Sequence, residues 1–362
     1  MKIKSIETFT TKQIGIVRVN LEDGTCGYGQ MAPFYADISS IVLHRQVAPY
    51  ALGREVENIE EFTTQIIESQ YKFKGSYICR AVAGLDTALW DIRGKKENKS
   101  VCELLGGKLG SVDIYGSSMK REITPEEETD RLVRLIDEKG ISAFKLHICK
   151  PCGHNQDIWP GRTEAIVPMV RKAIGDNVDL YVDSNGCYSP ERAIEMGRMF
   201  QDYGVGFFEE PCPFWEIEQT AQVKSALAMP IAGGEQDNCL AQWKRIIDIN
   251  AVDIAQTDIC YIGGISRALR VAAMADQAGI LCTPHCANLS MLALFSLHMM
   301  KAIPNSSKYM ELTIEDDPWA KNIYYPNLVV QDGKVSIPQG PGWGVTINEE
   351  WLNKADYCIS QI

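Results

Sequence analysis

The chain has 362 residues, 45% of them apolar and 23% charged, and a formal net charge of −11. That length suits two domains, one of them large enough to be a barrel, and the composition supports an ample core. The acidic balance, with no basic or aromatic-interleaved patch to offset it, argues against nucleic acid or an anionic membrane as partner.

In chain order, Ile3, Ile6 and Phe9 mark an opening strand, and Val17, Val19 and Leu21 alternate with Arg18 and Asn20 as a half-buried one. Asp23-Gly24 is a two-residue hairpin turn, and Thr25–Gln30 is the return strand. Helical patterns follow near 37–52, 57–70 and 77–97; in the last, Ala81, Leu85, Ala88, Leu89 and Ile92 form one apolar face. Gly106-Gly107 and Leu109-Gly110 mark a boundary. The opening Met1-Lys2-Ile3-Lys4 lacks the apolar core of a signal peptide, and no apolar run approaches the ~20 residues needed to cross a bilayer. The twelve cysteines are scattered through apolar patterns. These features predict reduced thiols and a cytoplasmic protein.

From Val112 onward, strand and helix alternate. Strand-like runs fall at Val112–Gly116, Ala143–Ile148, Asp179–Asp183, Val205–Glu209, Pro230–Gly234, Val252–Thr257, Ile280–Pro284 and Lys308–Leu312. Helical segments such as Pro125–Lys139, Arg162–Ile174 and Pro190–Tyr203 lie between them. This rhythm predicts a parallel β/α barrel. A doubly wound open sheet is the alternative, but it would carry a glycine-rich phosphate turn after its first strand, and none is present. In the tail, Leu328–Gln331 and Lys334–Pro338 flank Asp332-Gly333, a further hairpin signal. The expected division is 1–111, 112–320 and a tail 321–362 that packs back on the first segment.

The polar residues converge on this barrel. Lys145 and His147 share one face of the second strand, and Asp183, Glu209, Glu235, Asp258, His285 and Glu311 end the strands that follow. Barrel active sites form at these C-terminal strand ends. Asp183, Glu209 and Glu235 would repel one another in a dry site, and a divalent cation resolves this. Ligands that are all oxygen favour Mg²⁺ before Mn²⁺ or Ca²⁺. Asp258 and His285 come from adjacent strands and can form a dyad that serves as general base or acid. A lysine buried at position 145 requires a carboxylate or an anionic ligand.

These residues resemble the enolase superfamily, in particular its mandelate racemase-like group, over nearly the whole chain. The carriers are Ala83-Gly84-Leu85-Asp86-Thr87-Ala88-Leu89-Trp90-Asp91, Val182-Asp183-Ser184-Asn185, Phe208-Glu209-Glu210-Pro211, Gly234-Glu235, Asp258 with Ile262-Gly263-Gly264, His285 and Glu311. The resemblance implies a modified TIM barrel, (β/α)7β, under an α+β capping domain. It also implies Mg²⁺ on Asp183, Glu209 and Glu235, a small-molecule carboxylate substrate, removal of the proton α to that carboxylate, and homo-oligomerisation. Lys145, His147, Asp258, His285 and Glu311 are the catalytic candidates.

One motif departs from the family. Its second-strand Lys-x-Lys is here Lys145-Leu146-His147, which disfavours two-base racemisation and points to dehydration of an aldonate or aldarate to a 2-keto-3-deoxy acid. A racemase or epimerase is the alternative, and a barrel that binds without turnover is a third reading. Substrate choice is expected from Gln30–Ala36, the segment before Glu55, and the loop Cys149–Trp159, with Phe34, Tyr35 and Trp215 as possible pocket walls.

Overall fold

The computed structural model describes residues 1–362. A four-stranded antiparallel sheet opens the chain: Ile3–Thr10, Gly15–Leu21 and Cys26–Gln30, completed at one edge by Asp356–Gln361 from the far C-terminus. The expected hairpin forms, with Asn20 opposite Cys26 across the Asp23-Gly24 turn. The helical patterns become helices at Ala36–Ala51, with a π-helical stretch at Leu43–Val47, at Ile59–Ser69 and at Ser76–Glu97. The last carries Ala81, Leu85, Ala88, Leu89 and Ile92 into a core shared with Val17 and Val19 of the sheet.

The second unit is an eight-stranded parallel barrel. Its strands are Ser111–Ser118, Ala143–His147, Asp179–Asp183, Phe208–Glu209, Ile231–Gly233, Ile254–Ala255, Leu281–Cys282 and Met310–Thr313. Neighbours pair in parallel from first to seventh, and the eighth returns to the first with Met310 opposite Ile114. A parallel bridge between Cys282 and Ser306 closes the ring. Helices follow each of the first seven strands, which gives the (β/α)7β architecture. Their starts are encoded locally. Thr124 and Glu127 make a capping box ahead of Pro125–Lys139, and Ser189 caps Pro190–Asp202, each helix with proline in its first turn. No helix is long and apolar enough to cross a membrane.

Two expectations need correction. The fourth to seventh barrel strands are only two or three residues long, shorter than their apolar runs, although backbone bonds such as Gln256 to Gly233 and His285 to Thr257 continue toward the barrel mouth. The tail is split rather than wholly docked on the N-terminal unit. Its hairpin, Val330–Gln331 with Lys334–Ser336, pairs antiparallel with the first barrel strand, and only Asp356–Gln361 joins the N-terminal sheet. Lys334 and Ser336 face Asp113 and Ser111, the residues of that strand left free at its N-terminal end.

Candidate active site

Parallel register sets the height of the site. His147 lies opposite Asp183, and Asp183 opposite Glu209, so three polar side chains from consecutive strands reach the C-terminal rim at one level. Lys145 sits two residues below His147 on the same face. Backbone turns then redirect the chain. Asn185 (φ 39°) and Glu210 (φ 40°) adopt left-handed conformations just after Asp183 and Glu209. Such angles are uncommon for non-glycine residues and concentrate at functional sites. Ahead of Glu235, Gly234 has φ 106°, and a Cβ there would lie 2.3 Å from the Trp243 ring, so only glycine fits.

Oxygen atoms of Asp183, Glu209 and Glu235 lie within 4.8 Å of one another, and all three residues are buried. The Lys145 ammonium donates to both Glu209 oxygens at 2.8 Å, lies 2.8 Å from Glu311 Oε1, and is 3.5 Å from Asp183 Oδ2. Burial alone would depress the Lys145 pKa, but Glu209 and Glu311 hold it well above its ordinary value. Burial also raises Glu209 well above the usual carboxylate range against the pull of Lys145. Glu311 goes the other way: burial would raise it, but Lys145 and His285 bring it down to about 2.

His285 Nδ1 lies 2.8 Å from Asp258 Oδ2, and its Nε2 is 3.2 Å from Glu235 Oε2. Asp258 does not simply end a strand. It caps the short helix Ile259–Ile262, where its Oδ1 accepts the Cys260 and Tyr261 amides at 2.7 and 2.8 Å. That double bond fixes the carboxylate and leaves Oδ2 for the imidazole. Burial works against charging His285, yet Glu235 and Asp258 hold its pKa well above the ordinary histidine value. On the other flank, His147 Nδ1 faces the Ser118 carbonyl and its Nε2 lies 2.9 Å from Asp183 Oδ2.

Charge tests whether this cluster fits a metal. Five buried carboxylates (Asp183, Glu209, Glu235, Asp258 and Glu311) face one lysine and two imidazoles. Even with both imidazoles charged, the cluster is two positive charges short, and oxygen-only donors converging at its centre suit a hard divalent cation.

The structure thus brings together all eight residues singled out in the sequence. It adds others; of these Asn185 lay in a quoted motif, whereas Gln256 and Arg162 had no sequence signal of their own. Gln256 donates to Glu209 Oε2 at 2.7 Å, and Asn185 donates to both oxygens of Asp183. Fully buried Arg162 bonds the carbonyls of His147 and Ile123, tying the loop after the first barrel strand to the end of the second. By contrast, Phe34, Tyr35 and Trp215 are exposed: Phe34 packs on Trp319 beyond the last barrel strand, and Trp215 on Phe214. Glu210 is buried beside the cluster, but its distinct contribution is through the backbone, where its carbonyl accepts the Ser184 hydroxyl and the Gly186 amide.

The N-terminal unit docks onto this face through specific bonds. Gln30 donates to Ser290 and accepts from the Met291 amide, just beyond His285. Trp90 donates to Ser266, and Asp86 accepts the Ser266 amide at 3.3 Å. Gly264 lets this approach happen, since a Cβ there would lie 2.3 Å from the Asp86 carboxyl.

With this geometry established, comparison with known proteins gives the family. Residues 2–106 match the mandelate racemase / muconate lactonizing enzyme N-terminal domain, and residues 127–351 match the enolase C-terminal domain-like family. The chain belongs to the mandelate racemase / muconate lactonizing enzyme family of the enolase superfamily. Among relatives in this family, the arabinonate dehydratase of Saccharolobus solfataricus is 29% identical, over 93% of this chain and 89% of its own length. The L-talarate/galactarate dehydratase of Salmonella typhimurium is also 29% identical, over 94% of this chain and 82% of its own. A crystal structure from Roseobacter denitrificans, provisionally named a racemase, is 50% identical and superimposes with a TM-score of 0.99 over the whole of both chains.

Proposed function

We propose that this protein is a Mg²⁺-dependent dehydratase of an acid sugar, an aldonate or aldarate, yielding a 2-keto-3-deoxy acid. The observation that carries the proposal is His285. Asp258 anchors it through Nδ1, and its Nε2 is directed at the Asp183–Glu209–Glu235 cluster. A base held beside a metal-ligand set is what abstraction of an α-proton from a carboxylate requires. Family membership and relatives named as acid-sugar dehydratases support the same chemistry.

Asp183, Glu209 and Glu235 would hold the Mg²⁺, which when bound supplies Lewis-acid neutralisation of the substrate carboxylate. His285 Nε2 takes the C2 proton, with His147 as the other candidate base, while Asp258 stabilises the imidazolium that forms. Lys145 places a fixed positive charge where the enediolate oxygens become negative. His285 then returns a proton to the C3 hydroxyl, which leaves as water. The enol formed at C2–C3 picks up a proton at C3 and becomes the 2-oxo acid. Glu311 keeps Lys145 charged and oriented from below.

The test is incubation of Mg²⁺-loaded protein with an acid-sugar library in D₂O, read by NMR and by a 2-oxo-acid assay. A 2-oxo product with deuterium at C3 supports the proposal. If no acid sugar loses water while an α-proton of another carboxylate exchanges, the proposal is overturned in favour of the racemase or epimerase reading. The racemase name of the 50%-identical Roseobacter protein gives that second reading its weight. It would need His147, whose Nε2 lies 2.9 Å from Asp183 Oδ2, as the opposite base.

A further inference from the structure

One cation near the site has no counter-ion. Arg80, in the first turns of the helix Ser76–Glu97, stacks its guanidinium over the Tyr261 ring with 3.9 Å from Cζ to the ring centroid. Its Nε donates to Ser76 Oγ at 2.8 Å, but the structure gives it no carboxylate partner. It is neither an ordinary surface charge nor a buried ion pair. Half-buried arginines without an acid are uncommon because desolvation of the head group goes uncompensated. Tyr261 is buried, and its ring lies 6.1 Å from the His285 ring. The guanidinium carbon is therefore within about 10 Å of the imidazole.

The backbone around Arg80 also belongs to the docking surface. Its carbonyl accepts the Ala32 amide at 3.3 Å, next to Gln30, whose side chain is bonded to Ser290 and Met291 beyond His285. Arg80 is thus carried by the N-terminal unit to Tyr261 on the His285 flank of the barrel, on a helix rather than a loop.

We propose that Arg80 binds a second anionic group of the substrate, the distal carboxylate of a dicarboxylic acid sugar, and so selects aldarates over aldonates. This rests on the acid-sugar reading above and narrows it. The distances agree. At about 1.25 Å per bond along an extended chain, C2 to C6 of a six-carbon diacid spans about 5 Å. A contact of about 3 Å at each end extends that reach to about 11 Å. A C2 proton at His285 Nε2 therefore leaves the far carboxylate within range of the Arg80 fork. Guanidinium and carboxylate are matched for two parallel hydrogen bonds, whereas a terminal hydroxymethyl offers only one weak acceptor. Tyr261 holds the guanidinium over its ring by a cation–π contact.

The experiment has two arms, each on the Mg²⁺-loaded full-length protein and its Arg80→Met and Arg80→Lys variants. In the first, kcat/KM is measured for aldarates and for the aldonates of the same configuration. In the second, binding of the unreactive pair adipate and hexanoate is measured by calorimetry, which does not depend on turnover. The expected results are a preference for the diacid of at least tenfold in the wild type, a collapse of that ratio to about one in Arg80→Met, and partial retention in Arg80→Lys. Unchanged melting temperature and metal stoichiometry establish that the variants are folded. If the diacid-to-monoacid ratio is the same in wild type and Arg80→Met, in either arm, the inference is overturned even if acid sugars are dehydrated. If adipate discrimination depends on Arg80 but no acid sugar loses water, the subsite stands and the dehydratase reading falls.

Discussion

Replacing Asp258 with asparagine isolates the dyad with little structural disturbance. Asparagine keeps an oxygen to accept the Cys260 and Tyr261 amides, so the helix cap persists and stability falls by less than about 1 kcal/mol. The imidazole is affected far more. The carboxylate accepts the Nδ1 proton of His285 at 2.8 Å, whereas an amide NH₂ in its place donates to Nδ1 and drives the proton to Nε2, the atom that must be free. The imidazolium formed in the reaction also loses its counter-charge. At a charge separation of about 4 Å and an effective dielectric of 20, that attraction is about 4 kcal/mol. At 1.36 kcal/mol per decade, it corresponds to about three decades in rate. The same carboxylate-to-amide swap in a serine-protease triad costs about 10⁴-fold, through the tautomer as well as the charge. The expected loss for Asp258→Asn is therefore about 10³ to 10⁴-fold in C2 deuterium exchange measured by NMR in D₂O. Because Asp258 helps to hold the His285 pKa up, the residual acid limb of the pH–rate profile should move to lower pH. A folded Asp258→Asn protein that keeps more than a tenth of wild-type exchange would refute the assignment of His285 as the oriented base.

Other outcomes follow from the same cluster. Lys145→Met removes the one obligate cation among Asp183, Glu209 and Glu311, and should lower kcat by about 10² to 10³-fold. In EDTA it should also cost about 3–5 kcal/mol in urea unfolding, and an unchanged midpoint would contradict the geometry. Mg²⁺ at a hundred times its dissociation constant should add about 2.7 kcal/mol to the stability of the wild type, and Glu235→Gln should lose most of that gain. Failure of any divalent ion to shift the unfolding midpoint would argue against the site. Asp86 has its pKa raised by burial from 3.8 to about 7, so the folded state holds its proton more tightly than the unfolded chain does. Stability from this group is therefore full below about pH 4 and falls as pH rises toward 7. Asp86→Asn, which can still accept the Ser266 amide, should gain stability relative to wild type at pH 8 compared with pH 5. Equal urea midpoints relative to wild type at both pH values would refute this.

Much of this was legible along the chain because it rests on periodicity and on strand ends. Alternating apolar runs locate eight barrel strands, and each acidic or imidazole side chain falls at the end of its run or just beyond it. The family motifs are local too: Asp183-Ser184-Asn185 and Gly234-Glu235 encode a candidate metal ligand together with the left-handed turn that presents it. Strand lengths were less legible, because an apolar run does not reveal where the chain leaves the ladder. Val205 and Phe207 are buried, yet the strand proper begins at Phe208.

The sequence by itself determined the order of strands and helices, the identity of the eight clustered residues and the chemistry their side chains allow. Those properties depend on residue type and on spacing within one element. The Asp258–His285 pair was also legible, whereas the tertiary structure alone decided the remaining partners. Gln256 reaches Glu209, Gln30 reaches Ser290, Arg80 lies over Tyr261, and the tail divides between the barrel and the N-terminal sheet. Each of these pairs joins segments far apart in the chain. A side chain carries no local mark of a partner brought to it by barrel closure or by the docking of a second unit. For the same reason the acids and their mutual repulsion could be read from sequence, whereas the guanidinium on their flank emerges only in the folded chain.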